Sequence, residues 1–190
     1  MKNKILSILF LVYTITSFSQ DIKSLKSEAQ LMYDTAISLD LDKILDQTYP
    51  KVFEIASREQ MKDVMFEAFN NEAMTIKLIK TNPNFSFGEI KKIGSQTFCV
   101  FEHDNKMTMT FKEDMGDSAE MMLEMIKESM GATEATYDAK TYTFTINKRS
   151  KVLAISDDLT KNTWKYVNIE KEGSLVQMLF SEDVVKQLGL

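Results

Sequence analysis

The sequence predicts an α+β fold in which N-terminal helices pack on a curved, mainly antiparallel sheet, cone-like in outline. Three observations carry this. Apolar residues in the first third recur at steps of three and four; from Ala73 onward the period switches to two; and helical spacing returns after residue 173.

The first helix is set by Ile22, Leu25, Ala29, Met32, Ala36 and Leu39, which share one face while Lys23, Lys26, Gln30 and Asp34 fall on the polar side. Asp40 is placed to cap a short second helix carrying Leu41, Ile44 and Leu45, interrupted by Pro50. Ser57 with Gln60 forms a capping-box pattern for a third helix, whose apolar set is Met61, Val64, Met65, Ala68 and Phe69.

Strands follow. Ile76 and Leu78 alternate with Thr75, Lys77 and Lys80; residues 81 to 84, with Pro83, make a turn; Phe85 and Phe87 resume the alternation. Phe98 to Phe101 and Met107 to Phe111 flank the polar stretch from His103 to Lys106, which suits a hairpin. Asp117, with Glu120 three positions on, opens a fourth helix that Gly131 closes. Three strands come next: Tyr142, Phe144 and Ile146 on one face, the nearly all-apolar and hence central run Val152 to Ile155, and Thr163 to Ile169. Ser174 and Gln177 then start a final amphipathic helix ending near Leu188.

The start of the chain reads differently. Lys2 and Lys4 precede a run of roughly 14 apolar or near-apolar residues, short of the about 20 a spanning helix needs. Ser17 and Ser19 put small side chains where a signal peptidase requires them, so residues 1 to 19 are expected to be a signal peptide cleaved between Ser19 and Gln20. Residues 20 to 190 then form one domain, periplasmic or secreted, with no membrane attachment after cleavage.

Losing Lys2 and Lys4 lowers the basic count from 23 to 21 against 28 acids, a net charge of about −7. Such a surface repels phosphate backbones, and no cluster of basic and aromatic residues offsets it, so nucleic acid is excluded as a partner. Cys99 is the only cysteine; no internal disulfide is available, and its apolar neighbours from Thr97 to Phe101 mark it as a buried, inert thiol.

The long first helix, the short second helix ending in Thr48-Tyr49-Pro50, the capped third helix and the late strand with Trp164 together resemble the nuclear transport factor 2-like superfamily, the cone-shaped α+β fold shared with ketosteroid isomerase. More locally, Val152-Leu153-Ala154-Ile155-Ser156-Asp157-Asp158, Thr163-Trp164-Lys165-Tyr166-Val167 and Leu179-Phe180-Ser181 look like the C-terminal signature of exported proteins of Bacteroidetes type. The resemblance implies a helix-covered sheet face able to enclose a pocket. It does not choose among enzyme, ligand carrier and interaction module, all of which that superfamily hosts.

Few residues offer chemistry. His103 is the sole histidine, in a polar segment that reads as a hairpin tip; no G-x-S-x-G or phosphate-binding loop is present. The resemblance implies an acid and a tyrosine in an apolar cone for proton transfer, for which Tyr33, Asp34, Tyr49 and Tyr142 are the candidates, but Asp34 lies on the polar side of its helix. Tyr33, Tyr49 and Trp164 are the candidate pocket-lining residues, and packing in the core is the competing reading of the tyrosines. Of the 13 methionines, Met107, Met109, Met115, Met121, Met122, Met125 and Met130 crowd residues 107 to 130 with M-x-M and M-x-x-M spacing, which a Cu(I) site would use, but such spacing equally describes adaptable core filler or a pliable binding surface. Asp157-Asp158 lacks the arrangement of a calcium loop and reads as a charged turn. Asp34-Thr35-Ala36 and Asp117-Ser118-Ala119 resemble a short O-glycan acceptor pattern. No cofactor and no metal are expected. The leading expectation is a non-enzymatic exported domain that binds a small molecule or peptide in an apolar pocket; the alternatives are an interaction domain with a filled core and, behind both, a proton-transfer or hydrolytic enzyme.

Overall fold

The computed structural model of the chain describes residues 15–169 and 174–190, and side chains from residue 22 to 169 and from 175 onward. The signal reading lies outside the described residues for positions 1 to 14, and the backbone of Ser19 and Gln20 belongs to the first helix.

Among the described residues, six α-helices and a six-stranded, open, antiparallel sheet make the α+β fold that the change of period predicts. Helix α1 spans Ile15–Ser38 and α2 Leu41–Gln47; a 3-10 helix, Pro50–Glu54, leads to α3, Arg58–Phe69. Strands β1 (Met74–Ile79), β2 (Ser86–Ile93) and β3 (Gln96–Phe111) follow, then α4 (Ser118–Met130), β4 (Ala132–Asp138), β5 (Thr143–Ser156), β6 (Lys165–Ile169) and two short helices, α5 (Ser174–Leu179) and α6 (Glu182–Leu188).

The spine of the sheet is the pairing of β3 with β5, unbroken from Thr97 opposite Ser156 to Thr110 opposite Thr143. At its first end β2 lies outside β3 and β6 outside β5; at its second end β1 and β4 take those places. Two expectations are corrected here. The stretch His103 to Lys106 is no hairpin: it is the middle of β3, and Asn147 to Ser150 of β5 pair with it residue for residue. The strands expected at Tyr142 to Ile146 and Val152 to Ile155 are likewise one. The polar middles persist as strand because each supplies the other's partners: Arg149 bridges Glu102 at 2.9 Å and Asp104 at 2.7 Å, and Asn105 donates to the Ser150 hydroxyl at 2.7 Å. Strand β4 was not expected, since as an edge strand of Ala, Thr and Glu it buries only Ala135.

Side-chain alternation divides the core by sheet face. Cys99, Phe101, Val152 and Ala154 meet Leu25 and Ala29 of α1. Their neighbours Phe98, Leu153 and Ile155 point the other way, to Tyr49, Phe180 and Leu188 of the 3-10 segment and the C-terminal helices. On the α1 side of the second half, Met109, Phe144 and Ile146 receive Ala119 and Ile126 of α4. Thr108, Thr110, Thr143 and Thr145 occupy the reverse of that half and are half-buried.

Capping behaves unevenly. Ser57 and Gln60 form the full capping box, and Asp40 accepts from the Lys43 amide at 3.2 Å. Asp117 makes no side-chain cap, although Gly131 closes α4 in the left-handed region at φ 62°. Helix α3 fully buries none of its residues: of the apolar set expected there Met61 packs against the core, Met65 and Phe69 are half-buried, Val64 and Ala68 are exposed, and ion pairs of Arg58 with Asp46 and Lys62 with Asp42 tie the helix to α2. The expected single final helix is broken at Ser181, where Phe180 turns inward to stack on Tyr49.

Candidate functional site

The three expected pocket-lining residues do not share a cavity. Tyr49 lies beneath the C-terminal helices, whereas Trp164 lies on the opposite face of the sheet, under α1, and Tyr33 belongs to α1 itself. All three are buried, and their polar atoms are occupied inside the fold. The Tyr33 hydroxyl accepts from the Thr81 amide at 3.0 Å and donates to the Thr81 carbonyl at 3.1 Å. The Trp164 indole donates to Ser24 at 3.1 Å, and its backbone amide to Glu28 at 3.1 Å.

Around Tyr49 the structure builds a polar network that the sequence did not reveal. Its hydroxyl donates to Asp157 Oδ2 at 2.8 Å, and Gln96 donates to the same oxygen at 2.7 Å and to the Tyr49 oxygen at 3.0 Å. Asp157 Oδ1 accepts from the Thr160 amide at 3.0 Å, while the Thr160 hydroxyl accepts from the Asp157 amide at 2.9 Å and donates to its carbonyl at 2.9 Å. Asp157 lies, as expected, in the loop that joins the antiparallel strands β5 and β6, but its carboxylate is only 5 % exposed. Burial alone would raise its pKa; the donors from Gln96, Tyr49 and the Thr160 and Leu159 amides outweigh that and hold it below the usual carboxylate range. Burial and the adjacent carboxylate push the Tyr49 phenol upward. A carboxylate kept ionised by four donors and a phenol kept neutral make a structural lock, unsuited to exchange protons near neutrality. The signal that could have found it is Asp followed three residues on by Thr, the local pattern of a side-chain-closed turn.

His103, expected at a hairpin tip, instead lies within β3 opposite Ser150. It points to the α1 side of the sheet, 6 % exposed, with ring centroids 5.8 Å from Tyr33, 5.6 Å from Phe85 and 6.2 Å from Phe101. Its Nδ1 is buried with no hydrogen-bond partner among the described residues, and burial lowers its pKa. Among the described residues no serine or cysteine nucleophile is hydrogen-bonded to it. Cys99 is buried, its thiol directed at the Gly88 carbonyl, with its pKa pushed up to about 11 by burial. Tyr166 presents another buried polar atom without a hydrogen-bond partner among the described residues, its hydroxyl, whose pKa burial and the Glu28 carboxylate raise.

The nominated acid, Asp34, is half-exposed and paired with Lys80 at 2.9 Å, and the ammonium holds its carboxyl below the ordinary range. Thr35 is buried, so the acceptor pattern at residues 34 to 36 is closed in the folded state, while Ser118 is exposed. No group of three or more His, Cys, Asp or Glu side chains among the described residues is arranged to hold a metal ion. Met74, Met107, Met109, Met115, Met122 and Met130 are packed among the hydrocarbon side chains beneath α4.

Open clefts indent the surface of the described residues, two of them of several hundred cubic ångströms. One, of about 470 Å³, is lined by Gln177, Phe180, Glu182, Val185, Lys186 and Leu190; the other, of about 400 Å³, lies along β2 and β3 between Gly88, Val100, Glu102 and Leu188. Comparison with protein-family models, with curated proteins and with solved structures yields no match. No helix among the described residues is long and apolar enough to cross a membrane.

Proposed function

We propose that this chain is an exported, non-enzymatic interaction domain with a filled core, which meets a protein partner at its surface. The observation that carries the reading is that Tyr33, Tyr49 and Trp164 are buried, their polar atoms are spent on partners within the fold, and none of the three lines either surface cleft. The lock at Asp157 supports it, since the buried carboxylate best placed for proton transfer is held ionised and enclosed. Export, and kinship with the nuclear transport factor 2-like superfamily, belong to the same proposal; N-terminal sequencing of the exported protein is expected to begin at Gln20.

The cleft beside Phe180, Val185 and Leu190 favours a second reading, in which a short peptide or small apolar molecule binds there. A thermal-shift panel of lipids, sterols, sugars, peptides and metals separates the two. A ligand at about 100 times its dissociation constant stabilises by about 2.7 kcal/mol, or about 5 to 10 °C for a chain of this size. A flat panel supports the filled-core domain; a shift of that size from a sterol or lipid overturns it in favour of the cleft.

A further inference from the structure

Helix α4 carries apolar side chains on two sides. Ala119, Met122, Leu123, Ile126 and Met130 turn to the sheet, while Met121 and Met125 face away from it, 65 % and 49 % exposed. At 100° per residue, Met121, Glu124, Met125 and Glu128 stand at i, i+3, i+4 and i+7 and form one continuous stripe along the outer surface. The other exposed large apolar residues do not align in this way. Val64 and Phe66 of α3 are two positions apart and so point in opposite directions, and Leu31, Ile55, Leu159 and Met178 come singly from separate elements.

The stripe is set in negative charge. Residues 113 to 128 contain Glu113, Asp114, Asp117, Glu120, Glu124 and Glu128 against the single base Lys127. Glu120 and Glu124 are exposed and form no ion pair among the described residues. Thioethers are flexible and polarizable, which suits them to grip apolar side chains of varied shape. Carboxylates along the same face select what surrounds those side chains. A second copy would bring the same acids against themselves, and an anionic lipid surface would be repelled; a segment with Lys or Arg beside an apolar ridge satisfies both features.

Resting on the interaction-domain reading, we propose that the outer face of α4 docks a basic amphipathic helical segment of a partner protein, its apolar ridge seated between Met121 and Met125 and its cations against Glu120 and Glu124. This is helix-face recognition with the acidic member supplied by this chain.

The test is a titration of the full chain, labelled with carbon-13 at its methionine methyls, with a Leu/Lys peptide of roughly four helical turns whose leucines follow the same i, i+3, i+4, i+7 spacing. The Met121 and Met125 signals are expected to move while those of Met74 and Met109 stay. Affinity should fall about tenfold or more in Met121→Ser/Met125→Ser and in Glu120→Lys/Glu124→Lys, and should weaken as salt is raised. Unchanged thermal midpoints in both variants show that the fold is intact, as exposed positions predict. The proposal is overturned if only Met178 or no methionine responds, if a scrambled peptide of equal composition binds as well, or if the two signals move with protein concentration alone, which would mark self-association. A sterol or lipid hit in the thermal panel sinks the interaction-domain reading, whereas a flat panel with unmoved Met121 and Met125 sinks only the assignment to α4.

Discussion

Tyr49 and Asp157, 108 positions apart in the chain, are joined by a 2.8 Å hydrogen bond that ties the entry to the 3-10 helix to the turn between β5 and β6. The bond couples the N-terminal helical segment to the sheet at a point where the Thr48 backbone also bridges Tyr166. Tyr49→Phe removes one donor from a buried carboxylate without disturbing the stack on Phe180. A hydrogen bond to a charged group contributes about 1.5 to 3 kcal/mol, so the thermal midpoint is expected to fall by about 3 to 12 °C. Because the folded Asp157 pKa lies below its unfolded value of 3.8, this carboxylate's stabilisation is complete above about pH 4 and lost as pH falls through the folded value. Urea titrations on either side of pH 4 should therefore show a shallower acid loss for Asp157→Asn than for the wild type; equal slopes would mean the network carries no linkage.

His103 gives a second pH dependence, in a different window. Burial lowers its folded pKa from 6.5, so the unfolded chain takes up a proton first as pH falls. Above about pH 6.5 the residue contributes no slope; below it stability drops until the folded value is reached. The groups around it do not rescue the cation: Arg149 and Lys148 disfavour it, and Asp104, which favours it, is engaged by Arg149 at 2.7 Å. Replacing His103 by Phe, which suits a site walled by Tyr33, Phe85 and Phe101, is expected to flatten the urea midpoint between about pH 7 and pH 5. A variant with the wild-type slope would show that His103 does not titrate on unfolding.

What could be read from the sequence was what local spacing determines. The Leu25 and Ala29 stripe of α1, the Ser57 and Gln60 box, the Gly131 terminus and the central position of Val152 to Ile155 each follow from residues within a turn or two of one another. The errors have one physical origin. His103 to Lys106 and Asn147 to Ser150 are each polar enough to suggest a turn, and only their pairing across about 45 residues makes both of them strand. Strand β4 exists because β5 offers an edge, not because Ala132 to Asp138 show apolar alternation. Tyr49 was picked out without Gln96 or Asp157, since nothing local connects the three.

Gly88 is fixed by contact and not by φ. It sits where β2 bulges between Phe87 and Ile90, and a Cβ there would lie 2.8 Å from the Val100 carbonyl oxygen, a backbone atom that cannot move aside cheaply. Gly88→Ala is expected to cost about 1 to 3 kcal/mol, as overpacking does. Gly94→Ala is the control: its Cβ would meet nothing within 4 Å, and only its left-handed φ of 62° opposes the change, at about 1 kcal/mol. Chemical denaturation should rank Gly88→Ala as the more damaging; the reverse order would mean that β2 shifts to admit the methyl.

The thiol of Cys99 offers the last check, on how rigid the centre of the sheet is. It lies on β3 between β2 and β5, buried, directed at the Gly88 carbonyl, and its pKa of about 11 leaves almost no thiolate near neutrality. Both access and nucleophilicity are thus withheld. A small aromatic disulfide reagent is expected to leave the native protein unmodified over hours and to react completely on addition of denaturant, with a rate set by opening of β2 from β3. Because Gly88→Ala strains that same pairing, it should accelerate labelling at a denaturant level too low to unfold the wild type. Rapid labelling of the wild type in buffer would show instead that β2 opens locally without global unfolding, and that the edge of the sheet beside Gly88 and Val100 is its least stable part.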